Sequence, residues 1–168
     1  VNGNSKIIGV VFGTSLGNIF CYDAFTFELL WKKNISKSSI ISKPNVEKDK
    51  VVFINSNSSL FCVNAKSGSL NWKYEFSDNQ TYYANNYPVS DAKNIFSLSW
   101  EGNLIALDIL QGKKTWSLNT NSVLNQIYIT TERQKLILLN VNGLMKIYSA
   151  KDGKEIAKID FKKSDLFS

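Results

Sequence analysis

The stretch ALDILQGKKTW, Ala106 to Trp116, places a small residue, an Asp, a Gly and a Trp at fixed offsets inside strand-like sequence. Aligning the chain on itself finds the pattern four times. The copies are GNIFCYDAFTFELLW from Gly17, SSLFCVNAKSGSLNW from Ser58, GNLIALDILQGKKTW from Gly102 and GLMKIYSAKDGKEIA from Gly143. They start 41, 44 and 41 residues apart, and in each one 14 positions separate the leading Gly-type residue from the Trp position. Trp31, Trp72 and Trp116 hold that position, and Ala157 takes it in the fourth copy. Self-similarity at a fixed period marks an architecture that stacks one supersecondary unit.

Within each copy an apolar strand such as KVVFIN or NIFSLS leads through a polar turn into a second strand such as NLIALD, which reads as a hairpin. A second turn follows the Asp-type position, held by Asp23, Asn64, Asp108 and Ser149. There an Asx side chain can accept backbone N–H groups, and Gly68, Gly112 or Gly153 can take positive φ. A third strand starts near the Trp. The connecting segments SSIISKPNVE and YANNYPVSDA each add a short extended stretch, predicted to end at Pro44 or Pro88, where a missing N–H is tolerated.

Four short antiparallel strands in each repeat of about 40–45 residues define an all-β chain, a β-propeller built of four-stranded blades. The predicted blades are roughly 1–35, 36–78, 79–120 and 121–162, with 163–168 starting a further strand. Along NLIALD both alternating sets, Leu104 with Ala106 and Ile105 with Leu107, are apolar, so this strand is predicted to be covered on both faces. A β-sandwich also uses short strands with frequent turns, but it does not predict a recurring Gly-to-Trp spacing.

Composition narrows the function classes. With 168 residues, 43% hydrophobic and 20% charged, the chain can bury a sizeable core. No apolar run approaches the roughly 18–20 residues of a spanning helix, and VNGNSKII has neither an initiator Met nor a signal pattern, so the sequence reads as trimmed or partial. The net charge of +6 comes from scattered Lys with a single Arg, Arg133, which argues against a nucleic-acid partner. His is absent, which removes the commonest general base and metal ligand. Cys21 and Cys62 occupy the same position in consecutive repeats; stacked sheets about 10 Å apart exceed the roughly 7 Å Cα limit of a disulfide, so two free, buried thiols are predicted.

The recurring form A-x-D-x-x-T-G-x-x-x-W resembles the tryptophan-docking motif of the pyrroloquinoline-quinone (PQQ) propeller superfamily. ALDILQGKKTW matches at Ala106, Asp108, Gly112 and Trp116 and departs at Gln111. CVNAKSGSLNW keeps Gly68 and Trp72, the first copy has Phe27 for Gly, and the fourth keeps Gly153 but has Ser149 and Ala157 for Asp and Trp. The resemblance implies that Trp31, Trp72 and Trp116 pack across to the next blade over the Ala and Gly positions. On this reading Ala106, Asp108, Gly68, Gly112 and Gly153 are structural docking residues, and no catalytic, cofactor-binding or metal site is expected. Eight blades are typical of the superfamily, so the chain reads as a four-blade section. The other possibility is a closed four-bladed ring, in which the tail pairs back as the missing strand of blade one.

NIFSLSWEGNLIALDILQGKKTW and SVLNQIYITTERQKLILLNVNGLMKIYSAKDG are more closely similar to consecutive blades of the BamB family. That likeness implies a non-enzymatic, periplasmic, outer-membrane-associated scaffold. Its protein partner would be the β-barrel assembly machinery, and it would need no cofactor. Two alternatives use the same repeats: a section of a PQQ-dependent quinoprotein dehydrogenase, which needs hard oxygen ligands for Ca²⁺ converging at one end of the propeller, and a sensor or appendage domain. The sequons at Asn34, Asn57 and Asn79 bear on the last. The least repeat-like segment, Glu75 to Pro88, carries Tyr82, Tyr83 and Tyr87, read as a binding surface or as a strand leading into the next blade.

Overall fold

The computed structural model describes residues 9–40, 42–76, 87–99, 102–121, 126–130, 134–140 and 142–162. These form four antiparallel sheets that follow one another along the chain. The first has three strands, β1 (Gly9–Gly13), β2 (Asn18–Asp23) and β3 (Leu29–Asn34). The second is β4 (Asn45–Glu47), β5 (Lys50–Ile54), β6 (Ser59–Asn64) and β7 (Leu70–Glu75). The third is β8 (Val89–Ser90), β9 (Asn94–Leu98), β10 (Asn103–Asp108) and β11 (Lys114–Asn119). The fourth is β12 (Gln126–Thr130), β13 (Lys135–Leu139), β14 (Leu144–Ser149) and β15 (Glu155–Asp160). Each sheet is a meander of neighbouring strands, and the described residues contain no helix.

The turns repeat as faithfully as the strands. In every sheet one hairpin, β1–β2, β5–β6, β9–β10 or β13–β14, closes with the N–H of Gly17, Ser58, Gly102 or Gly143 donating to the carbonyl three residues back. All four of these residues have positive φ, Ser58 included. Thr14, Asn55, Ser99 and Asn140 precede them by three and accept, through a side-chain oxygen, the N–H of Asn18, Ser59, Asn103 and Leu144. A hydroxyl or amide oxygen there satisfies a backbone donor that the tight turn leaves unpaired. One residue past the middle of β2, β6, β10 and β14 the register slips, at Cys21/Tyr22, Cys62/Val63, Ala106/Leu107 and Ile147/Tyr148. Such a bulge adds local twist and re-aims the strand toward the second turn.

Pro44 and Pro88 differ from the expectation. Each stands immediately before the short strand, β4 or β8, rather than at its end. A residue without an N–H loses nothing at a point where ladder pairing has not begun. β8 approaches both β4 and β12, so these first strands converge on one side of the stack, and Ser90 Oγ–H donates to Asn45 Oδ1 at 2.7 Å. The last strands β3, β7, β11 and β15 lie at the opposite edge and are largely exposed.

Three core clusters glue the sheets in order. One joins Ile19, Cys21 and Trp31 to Val51, Phe53 and Val63. The next joins Val52, Ile54, Cys62 and Trp72 to Ile95, Ile105 and Leu107. The last joins Phe96, Leu98, Leu104 and Ala106 to Leu136, Leu138 and Tyr148. In the middle sheets β6 and β10 are buried on both faces, as the apolar runs require, whereas β2 and β13 alternate between buried and half-buried. An all-β stack of meander sheets whose inner members are covered twice is the arrangement of a propeller section. The tail at 163–168, which a four-bladed ring would need as the missing strand of blade one, lies outside the described residues.

Candidate functional site

The recurring motif builds three joints between sheets. After Asp108 the chain makes a wide turn in which the Gly112 N–H donates to the Asp108 carbonyl at 2.8 Å and Gly112 closes the turn with φ of 68°. Asp108 Oδ1 accepts the N–H groups of Leu110 and Gln111, both at 2.8 Å. Asn64 and Asp23 bind their own turns in the same way, through Lys66 and Ser67 and through Phe25 and Thr26. The backbone bonds from Thr26 and Phe25 hold the Asp23 carboxyl below the usual carboxylate range. Asp108→Ala is expected to cost about 1 kcal/mol in chemical denaturation, while Asp108→Asn, which keeps the acceptor, stays within about 0.5 kcal/mol.

The turns of the second, third and fourth sheets each receive the Trp of the preceding sheet. Trp31 lies against Gly68, Trp72 against Gly112 and Trp116 against Gly153, so close that a Cβ on the glycine would come within 2.5–2.9 Å of the indole ring. The indole N–H donates to the carbonyl one residue beyond the Asp-type position: Trp31 to Ala65 at 2.9 Å, Trp72 to Ile109 at 2.9 Å and Trp116 to Ala150 at 3.2 Å. The N–H of that same residue is held inside its own sheet, by Asp49, Lys93 or Gln134. One peptide pair is thus gripped from both sides.

Ala106 is placed differently from the reading in which Trp covers the Ala of the next blade. It pairs with Trp116 of its own sheet, as Cys21 pairs with Trp31 and Cys62 with Trp72. Paired residues on neighbouring strands share a face, so a small side chain there makes room for the indole beside it. The glycine is on the next sheet, and the small residue is on the indole's own.

Cys21 and Cys62 are free and buried. Burial pushes the Cys62 thiol up to about 11. At pH 8 the native chain is therefore expected to react with a maleimide on the order of 100-fold more slowly than the unfolded chain, in a timed labelling assay. The folded state holds this proton more tightly, so stability should be level up to about pH 9 and decline between about 9 and 11 as the unfolded thiol ionises.

Lys146 is also buried, donating to the Thr120 carbonyl across the third joint and lying 3.6 Å from Glu155 Oε2. A polar cleft of about 530 Å³ opens between the first two sheets, lined by Ser36, Asn55, Ser59, Lys73 and Glu75. Its polar groups bind one another, with Asn55 Nδ2–H donating to Ser36 Oγ and Lys73 paired to Glu75.

The carboxylates bear on a Ca²⁺ and quinone site. Asp23, Asp91, Asp108, Asp152 and Asp160 accept backbone N–H groups in their own turns. Asp49, Glu75 and Glu155 lie against lysines. Among the described residues no three His, Cys, Asp or Glu side chains come together to hold a metal. Of the sequons, Asn34 ends β3 with its amide donating to Leu16 and Asn18, and Asn57 lies in the turn between β5 and β6; Asn79, Tyr82 and Tyr83 lie outside the described residues. Tyr87 is exposed.

A family model described as outer membrane protein assembly factor BamB matches residues 8–123. An uncharacterized protein of Rickettsia prowazekii is 24% identical over 163 residues, covering 85% of this chain and 37% of that protein. One of Rickettsia conorii is 20% identical over 180 residues, covering 95% of this chain and 42% of its own length. The chain therefore spans about two fifths of these relatives. Among solved structures, BamB from Moraxella catarrhalis superposes with a TM-score of 0.74 at 19% identity, over 92% of this chain and 50% of its own. The computationally designed Ika8 protein gives 0.76 at 16%, over 90% and 46%, and a europium-containing methanol dehydrogenase 0.71 at 14%, over 91% and 40%. These likenesses show the propeller fold.

Proposed function

The chain belongs to the family of the outer membrane protein assembly factor BamB, and from that membership we propose that it is a non-enzymatic docking scaffold serving the assembly of outer-membrane β-barrel proteins. The carrying observation is the family match over residues 8–123, which includes two of the three indole joints. The motif's conspicuous Asp, Gly and Trp are engaged in turns and joints, leaving their chemistry no free role. We further propose that the joints are what hold the blades in fixed relation. Rigidly stacked blades display their loops in constant positions, and partners bind such loops or add a strand to a sheet edge. On this reading the protein works in the periplasm against the barrel-inserting subunit of the assembly machinery.

The test is a binding measurement between the whole natural protein and that subunit from the same organism, by titration calorimetry. Micromolar or tighter association is expected. No association at about 100 μM would sink the scaffold reading. The methanol dehydrogenase likeness favours the second reading, in which the whole protein holds a quinone. Stoichiometric retention of added PQQ with Ca²⁺, seen in the absorption spectrum, would favour that reading instead.

A further inference from the structure

The first joint is filled differently from the other two. Two residues beyond the Trp, the wall facing the next sheet carries Tyr74 in the second sheet and Leu118 in the third, and both pack on the core they share with that next sheet. The first sheet has Lys33 at this position, exposed, with its stem running over Gly68 in the turn that follows β6. A lysine carries its ammonium to water and takes the stem with it, so this wall lacks the apolar side chain that closes the other joints. At the opposite end of β6, where the Asn55 turn stands, the same two sheets part into the cleft of about 530 Å³. Both walls belong to sheets held together by one core cluster.

The floor of the cleft is polar and buried. Ser36, Asn55 and Ser59 line it at 9%, 4% and 6% exposure. The orientation of the Asn55 amide is fixed, because its Oδ1 accepts the N–H groups of Asn57 and Ser59 at 3.1 and 2.8 Å. Its Nδ2 therefore faces Ser36 and donates to the hydroxyl at 2.9 Å, while the Ser38 N–H donates to that hydroxyl from the other side, also at 2.9 Å. Both lone pairs of Ser36 Oγ are thus taken, and its own proton has no acceptor among the described residues. Ser59 Oγ has no partner at all among them. Ser59 pairs with Glu75 and lies on the same face of β6 as Phe61, which places its hydroxyl in the cleft. A buried hydroxyl without a partner costs free energy, and two beside one opening point to something that completes them.

What remains unused is mostly donor. Ser36 offers an O–H, Asn55 a second N–H, Ser59 an O–H, and Lys37 at the mouth an ammonium with no ion pair among the described residues. Glu75 supplies the one carboxylate, and Lys73, which also lies 5.5 Å over the Phe61 ring, is paired to it. Two lysines against one glutamate leave the lining net positive. Donors under a net positive charge suit an anionic oxygen pair. Ile35, Phe61 and Phe76 give the cleft an apolar side, which suits an organic body more than a bare inorganic ion, and the volume is that of a small-molecule site.

We propose that the cleft between the first two sheets binds a small organic acid, its carboxylate seated on Ser36, Asn55 and Ser59 beneath Lys37 and its body lying along Ile35 and Phe76. A sugar acid and the carboxylate end of a peptide present the same group, and the body distinguishes them. The site holds whichever partner the loops bind, and its failure would leave the scaffold role untouched.

The test is titration of the whole natural protein with D-galacturonate and with N-acetyl-L-alanine, followed by ligand-observed NMR. One of the two should bind with a Kd of about 1 mM or tighter, and the tighter of them identifies the source. The uncharged counterparts, D-galactose and N-acetyl-L-alanine amide, should bind at least about tenfold more weakly. Ser59→Ala removes a hydroxyl that holds nothing in the fold, so the melting temperature should stay where it is while the Kd rises about fivefold. Lys37→Gln should weaken binding to a similar degree. Lys33→Leu supplies the residue that closes the third joint and should abolish binding. No binding of either acid at about 10 mM, equal binding of the uncharged counterparts, inorganic phosphate binding as tightly as the acids, or indifference to Ser59→Ala would each overturn the proposal.

Discussion

Trp72→Ala should lower the unfolding free energy of the protein by about 3–5 kcal/mol. The indole is 8% exposed, lies against Gly112 and packs in one cluster with Ile95, Ile105, Leu107 and Ile109 of the next sheet. Burying roughly 150–250 Å² of aromatic surface at about 25 cal/mol per Å² sets an upper bound of about 4–6 kcal/mol. Truncation also strips the Ile109 carbonyl of the indole donor at 2.9 Å. Trp72→Phe separates the two contributions: it keeps most of the contact, loses the N–H, and should cost only about 1–2 kcal/mol. Trp116, which is less fully buried, should cost less than Trp72 when truncated. Urea unfolding of each variant measures these differences. A Trp72→Ala variant within about 1 kcal/mol of wild type would show that the contact does not hold the blades.

Gly112→Val is expected to be as damaging, about 3 kcal/mol or more, for two separable reasons. The position has φ of 68°, where a β-branched residue is strained, and a Cβ there would come 2.5 Å from the Trp72 ring. Gly143 isolates the first cause. Its φ is 81°, but its nearest neighbour to an added Cβ is Phe161 at 3.6 Å, so Gly143→Ala should show the backbone penalty alone, about 1–2 kcal/mol. The second cause should vanish when the indole is gone. Gly112→Ala measured in a Trp72→Ala background should cost clearly less than in wild type, a non-additivity that two independent sites would not show.

The repeat could be read from the chain because Gly and Trp have few substitutes: only glycine takes positive φ without strain, and few side chains cover as much surface as Trp. The paired apolar sets in NLIALD likewise announced a strand covered twice, and β10 is so covered. The turn acceptors Thr14, Asn55, Ser99 and Asn140 are not legible in the sequence because they do the same work with three different side chains. Their common feature is an oxygen one or two bonds from Cβ, which an identity-based alignment does not see. The bulge beside each Trp position, Ala157 included, is equally hidden, since it is a property of hydrogen-bond register and any of Cys21, Cys62, Ala106 and Ile147 accommodates it. The family resemblance puts Ala106 under a neighbour's Trp, whereas its pairing with Trp116 depends on which sheet face two residues share, which spacing along the chain does not show. Pro44 and Pro88 precede their strands rather than end them for a similar reason: a proline marks an end of pairing without saying which end.

The second and third sheets are fastened at two radii. The Trp72 joint lies at the outer edge of the stack, and the Ser90–Asn45 bond lies where β4 and β8 converge. A single fastening would let neighbouring sheets swing about it like pages on a spine, so that a loop at the far edge swept through a wide arc for a small local strain. Two fastenings on opposite sides of the hydrophobic layer convert that swing into stretching of the layer, which close-packed side chains resist. Loops at the rim of these two sheets are therefore held to a constant angular spacing. That makes the pair behave as a stiff angular gauge for whatever bridges it.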